Sequence, residues 1–319
     1  MHYSKVVSST LNSLWKNKKL WLVSLVASLP ANLLNYIYFA FYNSIAIYYF
    51  SSAIKGENSK NFESKELIDL FVNGGVELLI ILFALFLLGM IICSLYFSLT
   101  AKALMFKASK SYYMNLSERV NYRKLWNISS KHWFGLFKGG LITYILIFIF
   151  VFPILFISIL MNFVGENAVL SLLLLLFYCV LYIPTLLSIV FITLLSEFTY
   201  RGVVLKKQNT LQAFKDAFVT IKKNFWKVVL SYLIFYGISI VLCMLYLIIL
   251  AVILLIDFVI SVLFGSLILS GGYLYLLILL VTSIVIWLFA VTISSPIWAF
   301  YEIYWTNVYL ELNKHIKND

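Results

Sequence analysis

Charge is what this chain has least of. Only 12% of its 319 residues are Asp, Glu, Lys or Arg, against 63% hydrophobic residues. A soluble domain carries about 25% charged residues, and this chain could not cover a water-facing surface with so few. A soluble enzyme and a disordered chain are both excluded. Cysteine is scarce too. Cys93, Cys179 and Cys243 each lie in a long apolar run, with no CxxC. The odd count and the spacing exclude a disulfide framework and a thiolate metal site; each is expected to be a small, buried apolar residue. The three histidines, His2, His132 and His315, fall outside the apolar runs. No HExxH, no P-loop and no GxGxxG is present, so no catalytic residue, metal or cofactor is expected.

What the chain has is apolar length. A helix needs about 20 apolar residues to cross the hydrocarbon core. Six runs are long enough, at about 20–48, 77–101, 139–162, 169–195, 228–256 and 274–300. The first is too long for a secretory signal and is read as a retained span. Residues 228–300 hold a single charge, Asp257, so three shorter spans are the alternative there. With two spans, 258–273 becomes an outer interfacial or re-entrant piece. The expected fold is all-α, one integral membrane domain over 1–319.

The few charges are strongly segregated. With six spans and a cytoplasmic N-terminus, segments 1–19, 102–138, 196–227 and 301–319 hold 21 of the 24 bases and six of the 13 acids. The other side holds three bases and seven acids, mostly in 51–77. The positive-inside rule then places both termini in the cytoplasm. It also accounts for the net charge of +11 without nucleic acid.

Three spans are entered through a basic stretch studded with aromatics: TLNSLWKNKKLWLVSLVASLP at 10–30, YRKLWNISSKHWFGLFKGGLITYIL at 122–146, and NTLQAFKDAFVTIKKNFWKVVLSYL at 209–233. Each has a Trp at the start of its apolar run: Trp21, Trp133, Trp226. In the third, Leu211, Phe214, Phe218, Ile221 and Phe225 fall on one helical stripe. Lys215, Lys222, Lys223 and Lys227 lie in the same stretch. Asn209 with Gln212 reads as a capping box. A basic amphipathic helix of this kind lies in the headgroup layer and meets anionic lipid. The pattern predicts three units, each an interfacial helix followed by a two-span hairpin.

These residues, 10–30 and 209–233 above all, resemble a broad group of bacterial integral membrane proteins similar to the membrane domain attached to some glycerophosphodiester phosphodiesterases. The resemblance implies a six-span helical fold of a bacterial cytoplasmic membrane without chemistry of its own. In that group the catalysis belongs to a soluble barrel that this sequence lacks.

Three sets of residues are candidates for a role. Asn32 and Asn35, just after Pro30, with Asn43 further along, form a polar patch within the first span. They suit helix–helix hydrogen bonds or a substrate site. Glu197 and Glu302 close spans on the inner side, where Arg201 is within reach of a salt bridge. Lys215, Lys222, Lys223 and Lys227 suit lipid headgroups or a partner protein. Gly139 and Gly140 open a span and suit close helix packing. The expected function is a non-enzymatic scaffold or lipid-surface protein engaging the anionic inner leaflet, with a cytoplasmic or membrane partner. The alternative is a permease subunit whose inner segments 102–138 and 196–227 contact a separate ATPase.

Overall fold

The computed structural model describes residues 1–28, 76–114, 120–163, 168–268 and 272–313. Asn32, Asn35 and Asn43 lie outside them. Every element among the described residues is helical. The order is α1 (Tyr3–Lys16), α2 (Lys19–Ala27), α3 (Val76–Tyr113), α4 (Tyr122–Ser129), a 3-10 turn (Ser130–His132), α5 (Trp133–Phe163), α6 (Ala168–Leu205), α7 (Thr210–Lys223), α8 (Phe225–Ile268) and α9 (Gly272–Leu312). Among the described residues, four stretches are long and apolar enough to cross a membrane: Leu87–Tyr113, Tyr122–Phe163, Val169–Leu205 and Phe225–Ile249. Pro153, Pro184 and Pro296 lie inside α5, α6 and α9 without ending them.

Within 225–312 the described residues fall in two long helices, the number expected in preference to three. Two features differ from the sequence expectation. The piece from 258 belongs to α8 up to Ile268 rather than forming a separate interfacial element. Asp257 lies within α8, its side chain outside the described set. The second difference has more consequence. Helices expected to end at 101, 195 and 300 run on to Tyr113, Leu205 and Leu312. Much of the expected inner loops 102–138 and 196–227, and most of the tail from 301, is therefore helix. In α3 the continuation reads AKALMFKASK, rich in Ala, Leu, Met and Lys and free of Gly and Pro, so propensity favours carrying on. α6 stops where Lys207 takes a left-handed conformation, φ 55°.

The chain divides into two compact units. One comprises 1–18, 99–237 and 300–319; the other comprises 19–98 and 238–299. In the second, α2 is tied to α9 through serines. Ser24 Oγ donates to Ser295 O, and Ser295 Oγ donates to Trp21 O at 2.5 Å. Ser98 Oγ donates to Ala27 O. A hydroxyl donating to a neighbouring helix satisfies itself where no water is present.

The first unit holds most of the described core, and that core lies in the helix continuations rather than in the apolar runs. Ala101, Ala103, Leu104, Met105 and Phe106 of α3 are buried, as are Phe198, Val203 and Val204 of α6 and Phe300, Ile303, Tyr304, Trp305 and Val308 of α9. Along the apolar runs large side chains such as Phe148, Phe152, Phe177, Leu187, Ile240 and Met244 are exposed. This is the inversion expected where the solvent is hydrocarbon. There, apolar surface gains nothing by burial and packing must come from shape and polar groups. Cys93, Cys179 and Cys243 follow the same rule: they are exposed on apolar helix surface, not buried as expected.

Glycine sets the α5–α6 approach. A Cβ on Gly135 would sit 2.9 Å from Val203 Cγ1, and one on Gly139 3.0 Å from the Tyr200 ring. The close packing expected at Gly139 is present. Gly139→Leu should cost about 1–3 kcal/mol through overpacking, seen as a lower melting temperature of the detergent-solubilised protein. Gly237→Ala is the control, since its Cβ meets nothing within 4 Å; it should melt no lower than the parent. Equal melting of the Leu variant and the parent would mean α5 and α6 do not pack this closely.

Candidate functional site

The three helix continuations place charge at matching points. Lys102 lies on α3, Glu197 on α6 and Glu302 on α9, and one turn later stand Phe106, Arg201 and Thr306. All six side chains take part in one cluster, inside the first unit. Arg201 is its centre and is fully buried. Its Nη1 donates to Glu197 O at 2.7 Å and Glu197 Oε2 at 2.5 Å. Its Nη2 donates to Glu302 O at 3.1 Å and Glu302 Oε2 at 3.2 Å, and its Nε donates to Thr306 Oγ1 at 3.2 Å. A guanidinium has five N–H groups in a rigid fork, and here each finds an acceptor. Thr306 Oγ1 in turn donates to Glu302 O at 2.7 Å. The Phe106 ring centre lies 4.5 Å from the guanidinium carbon, within cation–π range. Lys102 Nζ lies 3.4 Å from Glu302 Oε1 and completes the set.

The sequence placed Arg201 near Glu197 and Glu302 and expected an interfacial salt bridge. The pairing is there, but it is buried: the Glu302 side chain is 2% exposed and that of Glu197 9%. Sequence reasoning missed Lys102, because a lysine just past a span end reads as an ordinary positive-inside charge. Its side chain is 24% exposed, the least covered member of the set. Two cations face two carboxylates, so the cluster is formally neutral. A lone buried charge would be costly; charge balance, with every N–H of Arg201 bonded and Lys102 paired with Glu302, is what makes burial tolerable.

This arrangement limits what the cluster can do. Arginine does not give up its proton at any pH the protein meets. Its donors are committed to protein acceptors. The chemistry on the page is therefore that of a tie between α3, α6 and α9. Around it lies an aromatic layer: Phe198 meets Trp305 and Tyr309 at 6.3 and 5.7 Å between ring centres, and Phe235 meets Phe300 and Tyr304 at 6.2 and 5.6 Å. Tyr304 donates its hydroxyl to Ser231 O at 2.8 Å. Among the described residues no group of three or more His, Cys, Asp or Glu is placed to hold a metal.

The short helices pack beside the cluster. On α7 the buried face is Thr210, Ala213, Ala217 and Ile221. A Cβ on Gly202 of α6 would lie 3.1 Å from Ala213 Cβ, so α6 and α7 meet closely. Of the stripe expected to act together, only Ile221 is buried; Leu211, Phe218 and Phe225 are exposed and Phe214 is half-buried. The helix has two apolar faces, and the small-residue one is used for packing. Lys215, Lys222, Lys223 and Lys227 are all exposed. Asn209 occupies the N-cap position of α7, but its side chain makes no capping hydrogen bond, so the expected capping box is not formed. On α4 Asn121 does cap, accepting from Lys124 N at 3.1 Å.

α1 shows the same division. Val6, Thr10 and Ser13 are buried, while Leu11 and Trp15 are exposed beside the exposed Lys5, Lys16, Lys18 and Lys19. At the α4–α5 junction Ser129 and Leu136 are buried, and Ile128, Phe134, Phe137, Lys124, Lys131 and Lys138 are exposed. Against known protein families, curated proteins and solved structures, the chain matches none.

Proposed function

We propose that the chain is a non-enzymatic scaffold of a bacterial cytoplasmic membrane, with six spans in three units, that engages the anionic inner leaflet through its short basic helices and holds a partner there. The observation that carries this reading is the two-sidedness of α7. Its small residues, Ala213 and Ala217, are used up against α6. Its large apolar residues Leu211 and Phe218 stay exposed together with Lys215, Lys222 and Lys223, and Phe225 and Lys227 at the start of α8 are exposed beside them. Exposed aromatics beside lysines suit the headgroup boundary, where rings sit at the interface and ammonium groups meet phosphate. The same pairing on α1 and at the α4–α5 junction supports a common role. The charge cluster supplies the rigid base: it ties together three of the helix ends against which the short helices pack.

The permease-subunit reading rested on long inner loops free to contact an ATPase. Those segments are largely helix with buried faces, which favours the scaffold reading. The likeness in layout to phosphodiesterase membrane domains is part of this proposal and brings no activity with it.

The test is native mass spectrometry of the full chain released from nanodiscs containing phosphatidylglycerol. The parent should retain anionic lipid. Replacing Lys215, Lys222, Lys223 and Lys227 with Gln should weaken that retention on the order of a hundredfold or more, at about 1 kcal/mol per lysine near the surface. Unchanged retention would overturn the lipid-surface reading, and a stoichiometric ATPase released with the chain would replace the scaffold reading by the permease one.

A further inference from the structure

We infer that the cleft where α6, α7 and α9 end is a seat for the headgroup of a phospholipid bearing a primary amine, of the phosphoethanolamine class. The inference rests on the proposed placement of α7 in the headgroup layer and names the lipid that would be held there. The cleft has a volume of about 230 Å³ and lies within the first unit. Lys206 follows α6, Lys223 closes α7 and Asn313 follows α9; Asp216 also lines the cleft, and Val219 and Leu312 supply apolar wall.

Charge identifies the occupant. Two lysines suit a phosphodiester. A simple anion is nonetheless a poor match, because the cleft also carries negative charge. The Asp216 carboxylate brings a full negative charge, and the C-termini of α6 and α9 add partial ones; at α7 the carbonyls of Thr220 and Ile221 already accept from Asn224, and α8 begins one residue on. Such a cleft accepts N–H donors as readily as it offers them. A zwitterion with phosphate at one end and ammonium at the other meets both demands.

The polar groups are already fixed in place. Gln208 Nε2 donates to Asp216 Oδ2 at 2.5 Å, which orients the carboxylate. Lys206 Nζ donates to Asn313 Oδ1 at 3.3 Å and lies 5.9 Å from the Tyr309 ring centre. Preorganised groups lose less on binding. The acceptors also predict discrimination. A primary ammonium donates three N–H bonds to carboxylate and carbonyl, whereas a trimethylammonium of the same charge donates none. Val219 and Leu312 give the first methylenes of the glycerol side an apolar surface.

The experiment is lipid competition on the full detergent-solubilised chain, read by native mass spectrometry, with phosphatidylethanolamine, phosphatidylcholine and phosphatidylglycerol of identical acyl chains. The parent should prefer the ethanolamine lipid over the choline lipid by about tenfold, the scale of a charge-assisted hydrogen bond. Asp216→Asn should abolish that preference, whereas Lys223→Gln, which removes a phosphate contact, should weaken retention of both zwitterionic lipids alike. Lys223 is exposed, so its variant reads occupancy of the cleft if the Asp216 variant fails to fold: unchanged retention of the ethanolamine lipid by Lys223→Gln overturns the inference. Equal retention of the two zwitterionic lipids by the parent overturns the inference, as does displacement of the ethanolamine lipid by equimolar phosphatidylglycerol. If phosphatidylglycerol binds and depends on Lys222 and Lys227 while no ethanolamine preference exists, the lipid-surface reading stands and the cleft assignment falls. If no lipid depends on any of these residues, both fall.

Discussion

Arg201→Met should lower the stability of the protein by about 3–5 kcal/mol, the cost of breaking a buried ion pair from one side. The variant keeps the volume of the side chain and removes the charge. Glu197 and Glu302 then remain buried with only Lys102 against them, and five hydrogen bonds lose their donor. Glu302 O keeps Thr306 as a donor, but the two carboxylates have no second cation. Arg201→Lys should recover only part of the loss. A single ammonium cannot fill five acceptor positions, and it lacks the flat face that lies over Phe106. The informative comparison is the neutral quadruple variant Lys102→Met, Glu197→Gln, Arg201→Met, Glu302→Gln. Although it carries three further substitutions, it should melt higher than Arg201→Met alone, because no charge is left uncompensated. Thermal unfolding in detergent, followed by fluorescence-detected size exclusion, measures all three. A wild-type melting curve for Arg201→Met would show that the cluster does not bear on stability.

Much of this fold is legible in the sequence, and the missed part has a physical reason. Apolar length located α3, α5, α6 and α8, since a run of about 20 apolar residues has few other uses. The three basic aromatic stretches located α1, the α4–α5 junction and α7. The difference lies at the charged helix ends. Charges mark where a membrane ends, not where a helix ends, and 102–113, 196–205 and 301–312 carry enough charge to read as loops. Their apolar and small residues were the available signal: Ala101, Leu104, Met105 and Ala108 in α3, and Phe300, Ile303, Tyr304 and Val308 in α9, recur at helical spacing through the charged stretch. The cluster was half legible. Glu197 and Arg201 are one turn apart on a single helix and could be paired on spacing alone. Glu302 was placed near them by its position at a span end. Lys102 and the burial of the whole set needed the three-dimensional arrangement. On α7 the large apolar stripe is legible from its spacing, but the second face that packs on α6, Thr210, Ala213 and Ala217, is not, because periodicity alone does not say which of two apolar faces packs.

The matching positions on α3, α6 and α9 lead to the last expectation. α4 comes shortly after α3 in the chain and packs on its end, with Lys107 Nζ donating to Ile128 O at 3.2 Å and the Tyr112 and Tyr122 hydroxyls 3.2 Å apart. α7 comes shortly after α6 and packs on it in the same way. The end of α9 receives instead α1, from the opposite end of the sequence. Asn307 Nδ2 donates to Ser9 Oγ at 3.2 Å and Thr10 Oγ1 at 2.9 Å, and its Oδ1 accepts from Ser109 Oγ at 3.1 Å. No short connection holds α1 to α9, so side chains must do so, and Asn307 joins three helices with one buried amide. Asn307→Leu should therefore release α1 selectively. It removes both donors to α1 and leaves the buried Ser109 hydroxyl without its acceptor, a penalty of about 1–3 kcal/mol. Hydrogen exchange in residues 3–16 should rise by about tenfold to a hundredfold, while exchange in 196–205 stays near that of the parent. Asn12→Leu, on the exposed face of the same helix, should change neither. Lys5, whose Nζ lies 5.8 Å from the Tyr113 ring centre, and Tyr3, whose hydroxyl reaches Lys227 O at 3.5 Å, are weaker ties at the start of α1. A uniform rise in exchange across α1, α6 and α9 would instead make Asn307 a determinant of the whole core, and α1 an ordinary member of it.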